Sequence, residues 1–314
     1  MPRYNRLGSL LDKAAKKNGS GKQGRLNNQR VQAKALARYT QAVRLFCAWV
    51  ISMRLCSAIN FEHLDDQASE YLEHLWFNGD SKLLAGDTLS GIQHFLRRKR
   101  ILSGSWELYK AWNKAEVSEQ VPPIPVFVLQ ALLGLAWSQG ELGFVAVVAC
   151  AFHCFLRTGE FLLVGSHNSF INEQFIGFLN LGFTKSGKRR GATEQVSIED
   201  PLVGYLIQSA LQISSNGLVF SGTSSAFRKL FDKFMAQLGL SHLNFKPYCL
   251  CRGGAVFHFS QHGKLDQTIL RGRWESVRVA KLYINEGLLA LTNFKFTEQE
   301  KAVLANHASL FKPF

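Results

Sequence analysis

Five residues in the second half of the chain carry groups suited to phosphoryl transfer: Arg157 in FLRTGE, Lys185 in TKSGKRRG, Arg252 in PYCLCRGGA, Trp274 in RGRWES and Tyr283 in AKLYI. Cleaving a phosphodiester places extra negative charge on the equatorial oxygens, and something fixed and positive must meet it there. Metal-dependent enzymes hold a cation for this purpose with carboxylates. The 23 acidic residues form no convergent Asp/Glu motif, and the Asp65 and Asp66 pair opens a helix in the other half of the chain. The planar fork of arginine is the alternative, because it donates two parallel hydrogen bonds to phosphate. Arg157 and Arg252 are therefore the candidate cations, and no metal site is expected.

Each residue has a functional reading and an ordinary one. Arg157 closes an apolar run, where an uncompensated cation is costly, and Glu160 three residues on can orient it. The ordinary reading is a structural Arg-Glu pair. Arg252 shares a helical face with Tyr248, and Gly253 and Gly254 behind it allow another backbone or DNA to come close; a plain surface arginine is the alternative. Lys185, beside a turn, can reach a departing oxygen and protonate it, with Lys188, Arg189 and Arg190 as competitors for that role or for phosphate contacts. A solvated turn would look the same. Trp274 offers one indole donor to a non-bridging oxygen, or simply packs. Tyr283 would be the nucleophile, and since a free phenol titrates near pH 10, it needs adjacent cations or a base. A tyrosine that only packs on an amphipathic helix is the alternative.

Composition suits a polyanionic partner. The chain has 314 residues, 46% of them apolar, enough to bury substantial cores, and carries a formal charge of +14. Residues 1–30 hold eight Lys or Arg against Asp12, which reads as a basic arm, either a solvated tail, a segment tracking a phosphate backbone or a targeting signal. Six cysteines (47, 56, 150, 154, 249, 251) without a secretory leader suggest reduced thiols inside a cell, and their spacing lacks the tight pairs of a zinc site. The longest apolar stretch, near Leu142 to Leu156, is too short for a bilayer and contains His153, so no membrane association is expected.

These residues must be positioned by two domains. From Val31 to about Leu55, from Asp66 to Phe77, from Thr88 to Arg100, and around Trp106, Tyr109 and Trp112, apolar residues recur at helical spacing. Residues 31–118 are thus expected to form an all-α domain. Its third helix ends in Arg97, Arg98, Lys99 and Arg100, either a solvated basic end or a phosphate-gripping face. VPPIP makes 119–125 a linker. Residues 126–296 read as an α+β domain: apolar helices at Pro125 to Trp137 and Glu141 to Leu156, a hairpin of Phe175 to Thr184 with Glu194 to Ile198, then helical patterns at Pro201 to Gln212, Ser225 to Leu238, Tyr248 to His262 and Val277 to Glu286. His258 and His262, on the third of these, read as covering a core edge.

Arg in RTGE, Lys in a hairpin turn, Arg-Gly-Gly-Ala on a helix, and Trp nine residues before the Tyr of LYI resemble, in this order, the tyrosine recombinase (phage integrase) family. The resemblance covers nearly the whole chain. It implies a SAM-like helical core-binding domain followed by a catalytic domain of the DNA breaking-rejoining type, together a C-shaped clamp on double-stranded DNA. It further implies attack by Tyr283 to give a 3′-phosphotyrosyl bond and a free 5′ hydroxyl, with no metal or nucleotide cofactor. Four protomers would assemble on two DNA sites, as in a mobile-element recombinase, wherever the host keeps its DNA: nucleus, cytoplasm or nucleoid. Residues 297–314, with apolar Val303, Leu304, Leu310, Phe311 and Phe314, would either contact a neighbouring protomer or pack at home. One position departs from the pattern: Tyr248 stands where the family usually has His or Lys, and a neutral phenol is a poor base. A DNA-binding descendant without catalysis and a type IB topoisomerase-like relaxer are the alternatives.

Overall fold

The computed structural model describes residues 31–53, 63–98, 100–116, 121–184 and 192–311, apart from the side chains of Val279 and Leu282. The chain divides into two compact units, Met1–Glu119 and Gln120–Phe314.

Among the described residues of the first unit four helices, α1 (Ala33–Ser52), α2 (Leu64–Phe77), α3 (Lys82–Leu96) and α4 (Ser103–Ala115), enclose one core. The stripe on α1 buries Ala42, Phe46 and Val50, each one turn from the last, against Leu72, Leu89 and Ile92. No side chain of its own caps α4. Asp65, from the first turn of α2, does so instead: its carboxylate accepts the Gly104 and Ser105 N–H groups at 2.8 and 2.9 Å and the Ser105 hydroxyl at 2.6 Å. Burial opposes the Asp65 charge, but these hydrogen bonds outweigh it and hold the carboxyl below its ordinary range. The expected third helix runs earlier than its apolar pattern suggested. It starts at Lys82 and stops at Leu96, where Arg97 turns left-handed at φ 57°. Arg97, Arg98 and Arg100 therefore follow the helix as exposed residues rather than forming its last turn, and Lys99 lies outside the described residues.

The second unit is built on two strongly apolar helices, α5 (Val126–Ser138) and α6 (Leu142–His153); α6 is buried along nearly its whole length, while α5 leaves Phe127 and Gln130 exposed. After α6 come the single turn α7 (Thr158–Phe161) and an antiparallel sheet in the order β1-β2-β3 (Ser169–Ile171, Gly177–Gly182, Glu194–Ile198). β1 was not foreseen; with three residues it is too short for a periodic signal. In β3 alternate residues Glu194, Val196 and Ile198 point inward. The helices α8 (Pro201–Gln212), α9 (Ser224–Gln237), α10 (Tyr248–His262), α11 (Leu265–Gly272), α12 (Val277–Asn293) and α13 (Glu298–Ala308) complete the unit. α12 continues two turns past the expected Glu286, and α11 and α13 were not anticipated.

α10 lies hard against its neighbours because of two glycines. A Cβ on Gly254 would strike the Phe152 carbonyl of α6, and one on Gly253 would come within 2.5 Å of the Ile124 carbonyl. The close approach they allow is thus to backbone of this chain. α13, capped by Thr297 and Glu300 in reciprocal hydrogen bonds, packs on α5. There Gly134 leaves room for the His307 carbonyl, Leu304 is buried, and Phe311 meets Trp137 edge to face at 5.8 Å. In the single chain the described part of this segment, to Phe311, packs within its own unit, and Phe314 lies outside the described residues. Among the described residues no helix is long and apolar enough to cross a membrane.

Candidate active site

Tyr283 lies on α12, in the part of that helix that packs against α10. Three of the candidate residues surround its ring. The guanidinium carbon of Arg252 stands 4.7 Å from the ring centroid, Trp274 packs at 5.3 Å between centroids, and Tyr248 meets it nearly perpendicular at 6.3 Å. Local structure explains the convergence. Tyr248 and Arg252 are one turn apart on α10, and Gly272 gives Trp274 room to pack after the close of α11.

Arg252 is not the surface residue of its ordinary reading. It is 1% exposed, and it runs between the Tyr283 ring and Glu286, whose carboxylate is 3.6 Å from Nη2. A cation over the ring face favours the phenolate, yet burial acts more strongly, and the Tyr283 hydroxyl is held well above the ordinary phenol value. Its oxygen is buried with no hydrogen-bond partner among the described residues. Tyr248 and Cys251 crowd it closely enough to raise that value further, without meeting hydrogen-bond geometry at the oxygen. Tyr248 is itself raised by burial, while Arg157 and Arg252 pull it the other way.

Arg157 does not end the apolar helix, which stops at His153; it precedes α7 in extended backbone, φ −73° and ψ 156°. Glu160 holds it as expected from the spacing, Nη1 to Oε1 at 2.9 Å, and reaches back to the Arg157 N–H at 3.0 Å. Burial disfavours its charge, but Glu160 offsets this and the guanidinium stays protonated. Tyr248 lies within electrostatic reach of both arginines, and Cys251 within reach of Arg157. Cys251 sits in a small apolar cluster with Phe155, Tyr248 and Trp274, gives its thiol to the Phe155 carbonyl at 3.1 Å, and is pushed up to about 11 by burial.

Arg157, Glu160, Tyr248, Arg252, Trp274 and Tyr283 thus belong to one neighbourhood of the second unit. Lys185, Lys188, Arg189 and Arg190 lie outside the described residues. Thr184, the last described residue before them, donates to the buried Glu194 of β3 at 2.7 Å. His258 bonds Thr268 at 2.9 Å, which agrees with its reading as a core-edge residue. Two members of the cluster escaped the sequence reading: Cys251, which looked like an inert apolar residue, and Arg273, which joins Arg157 on Glu160 at 2.9 Å. Arg271 and Arg273 flank the same glycine, and their spacing alone does not separate them. Arg271 instead pairs with Glu199 at 2.8 Å.

No protein-family model and no curated protein sequence matches the chain. Solved structures do. The Tn1549 transposon integrase, in complex with transposon right end DNA, aligns with a TM-score of 0.59 at 10% identity over 94% of this chain and 98% of that one. A lambda integrase dimer bound to a core site aligns at 0.55 and 15% identity over 93% and 79%. The XerH site-specific recombinase bound to its difH substrate, before cleavage, aligns at 0.51 and 14% over 86% and 78%. The chain has the fold of the tyrosine recombinases, a helical unit followed by an α+β unit of the type found in these enzymes.

Proposed function

We propose that this protein is a tyrosine recombinase, a DNA strand transferase that cleaves and rejoins duplex DNA at a specific site. The observation that carries the reading is Tyr283 enclosed by Arg252, Trp274 and Tyr248, with Arg157 reached through Tyr248. The proteins of like fold were solved on DNA substrates, which supports a duplex as the partner. Tyr283 Oη gives its proton to water and attacks the scissile phosphorus; the bond to the 5′ oxygen breaks, and that oxygen takes a proton from Lys185. A 3′-phosphotyrosyl ester remains. The ester conserves the bond energy, so a 5′ hydroxyl from a second duplex reverses the step without metal or nucleotide. Arg157 and Arg252 counter the charge on the phosphate, Trp274 donates to a non-bridging oxygen, and Glu160 supports Arg157. Lys188, Arg189 and Arg190, with Arg97, Arg98, Lys99 and Arg100, contact backbone phosphates. Four protomers on two sites complete the exchange.

A nicked duplex that releases its short 5′ fragment traps the covalent intermediate. The expected result is a protein-DNA adduct that Tyr283→Phe abolishes and Arg157→Ala slows by about 10²-fold or more. Absence of any Tyr283-dependent adduct sinks the reading. One observation favours a second one, a DNA-binding descendant without catalysis: the Tyr283 hydroxyl is buried, unpartnered and raised, with Tyr248 in place of a base. That reading expects duplex binding unchanged by Tyr283→Phe and no adduct on any substrate.

A further inference from the structure

Arg273 has no part in the reaction set out above, yet its surroundings tie it to the residues that do. It leaves α11 in a left-handed conformation, φ 55°, and only 7% of its side chain is exposed. Nη2 donates to Glu160 Oε2 at 2.9 Å and to the Phe155 carbonyl at 3.4 Å. Nε stands 4.0 Å from the carboxylate of Glu194. Glu160 is itself 10% exposed, and its other oxygen holds the Arg157 guanidinium at 2.9 Å. These side chains, buried apart from the partly exposed Arg157, thus form a chain of alternating charge, Arg157, Glu160, Arg273, Glu194. Its last member takes the hydroxyl of Thr184, the residue before Lys185 in the sequence.

We infer that Arg273 is a positioning residue that helps fix the Arg157 guanidinium by sharing the second oxygen of Glu160 with the Arg157 N–H; its bearing on catalysis rests on the strand-transfer reading. A carboxylate clamped from both sides cannot rotate, and a guanidinium bonded to it keeps one orientation. Phe155 adds a second anchor. Its backbone is left-handed at φ 51°, and its carbonyl receives both Arg273 and the Cys251 thiol, so Arg273 braces the segment that leads into Arg157. Lysine restores the charge but not the fork, because a single ammonium cannot span Glu160, Phe155 and Glu194 alike.

The test uses the full chain with Arg273→Gln, Arg273→Lys, Arg157→Ala and the double variant Arg157→Ala/Arg273→Gln. In the protein without DNA, the Nε–H resonance of Arg157, assigned by its loss in Arg157→Lys, is expected to be ordered in the parent and to move to the mobile class in Arg273→Gln. On the nicked duplex, Arg273→Gln should slow adduct formation ~10- to 100-fold while duplex affinity stays within about 3-fold, and Arg273→Lys should recover part of the rate. The double variant should be no slower than Arg157→Ala alone, since Arg273 acts through Arg157. Rates that multiply in the double variant, or an Arg157 resonance equally ordered in Arg273→Gln, overturn the inference. If Arg273→Gln does not fold, the same measurements on Arg273→Lys decide it. Should the parent form no adduct while the resonance still loses order, strand transfer falls and the positioning role stands.

Discussion

If Tyr283 is the nucleophile, it is held in a state that must change before it can react. Burial places its hydroxyl far from ionisation, and the stacked guanidinium of Arg252 offsets only part of that cost. Attack requires the phenolate, whose fraction rises tenfold per pH unit below a raised pKa. The logarithm of the adduct rate should therefore climb with a slope of about 1 across pH 6–9 and show no plateau below the ordinary phenol value of about 10. A plateau near pH 7 in a stopped time course would identify another group as the proton acceptor. The same geometry bears on stability, because the hydroxyl oxygen is buried without a partner. Tyr283→Phe removes that uncompensated group and should melt no lower than the parent, with a gain of up to about 1 kcal/mol. A clear loss would reveal a hydrogen bond to this oxygen.

Between elements, the decisive contacts join segments far apart in sequence. Asp65 caps α4 from the start of α2, so one carboxylate fastens two helices of the first unit. Asp65→Ala orphans two amide donors, while the Ser105 hydroxyl keeps the Asp65 carbonyl at 2.9 Å, and should cost ~1–3 kcal/mol in a chemical denaturation series. The pH dependence has a definite sign. The folded-state pKa of Asp65 is lowered, so its contribution is fully present above the unfolded value of about 4 and is lost as pH falls through the folded value. The Asp65→Ala variant should therefore lose less stability than the parent on acidification below pH 4. In the second unit the glycines of α10 do the comparable work, letting that helix close on α6 so that Tyr248, Cys251 and Arg252 meet α12.

At the scale of the molecule, the charge of +14 would set how a nucleic-acid partner is held. If strand transfer on duplex DNA is the function, affinity should fall linearly on a log-log plot against salt, by about 0.9 per phosphate contact. Changing Arg97, Arg98 and Arg100 together to Gln should reduce that slope by roughly 1–3 and leave any sequence preference intact, measured by fluorescence anisotropy. These three side chains are exposed just past the end of α3, free of a helical turn. An unchanged slope would remove them from the interface.

The sequence by itself determined the elements and the cast of residues. Helical periodicity located α1, α2 and α8 closely, because an apolar stripe must be buried whatever it packs against. Tyr248 and Arg252 share a face through helix geometry alone, and the Arg157 to Glu160 pair follows from three residues of spacing. Short or weakly patterned elements escaped it: β1 is three residues long, α7 a single turn, and α13 presents almost no apolar stripe apart from Leu304. Only the tertiary structure decided which partners the arginines took. Arg252 went to Glu286 and the Tyr283 ring, and Arg273 went to Glu160, because each guanidinium is buried by elements distant in sequence and must be neutralised by whatever acid the packing brings near. A one-dimensional pattern fixes which face of a helix is buried; which charge waits on the other side is settled by how the helices cross.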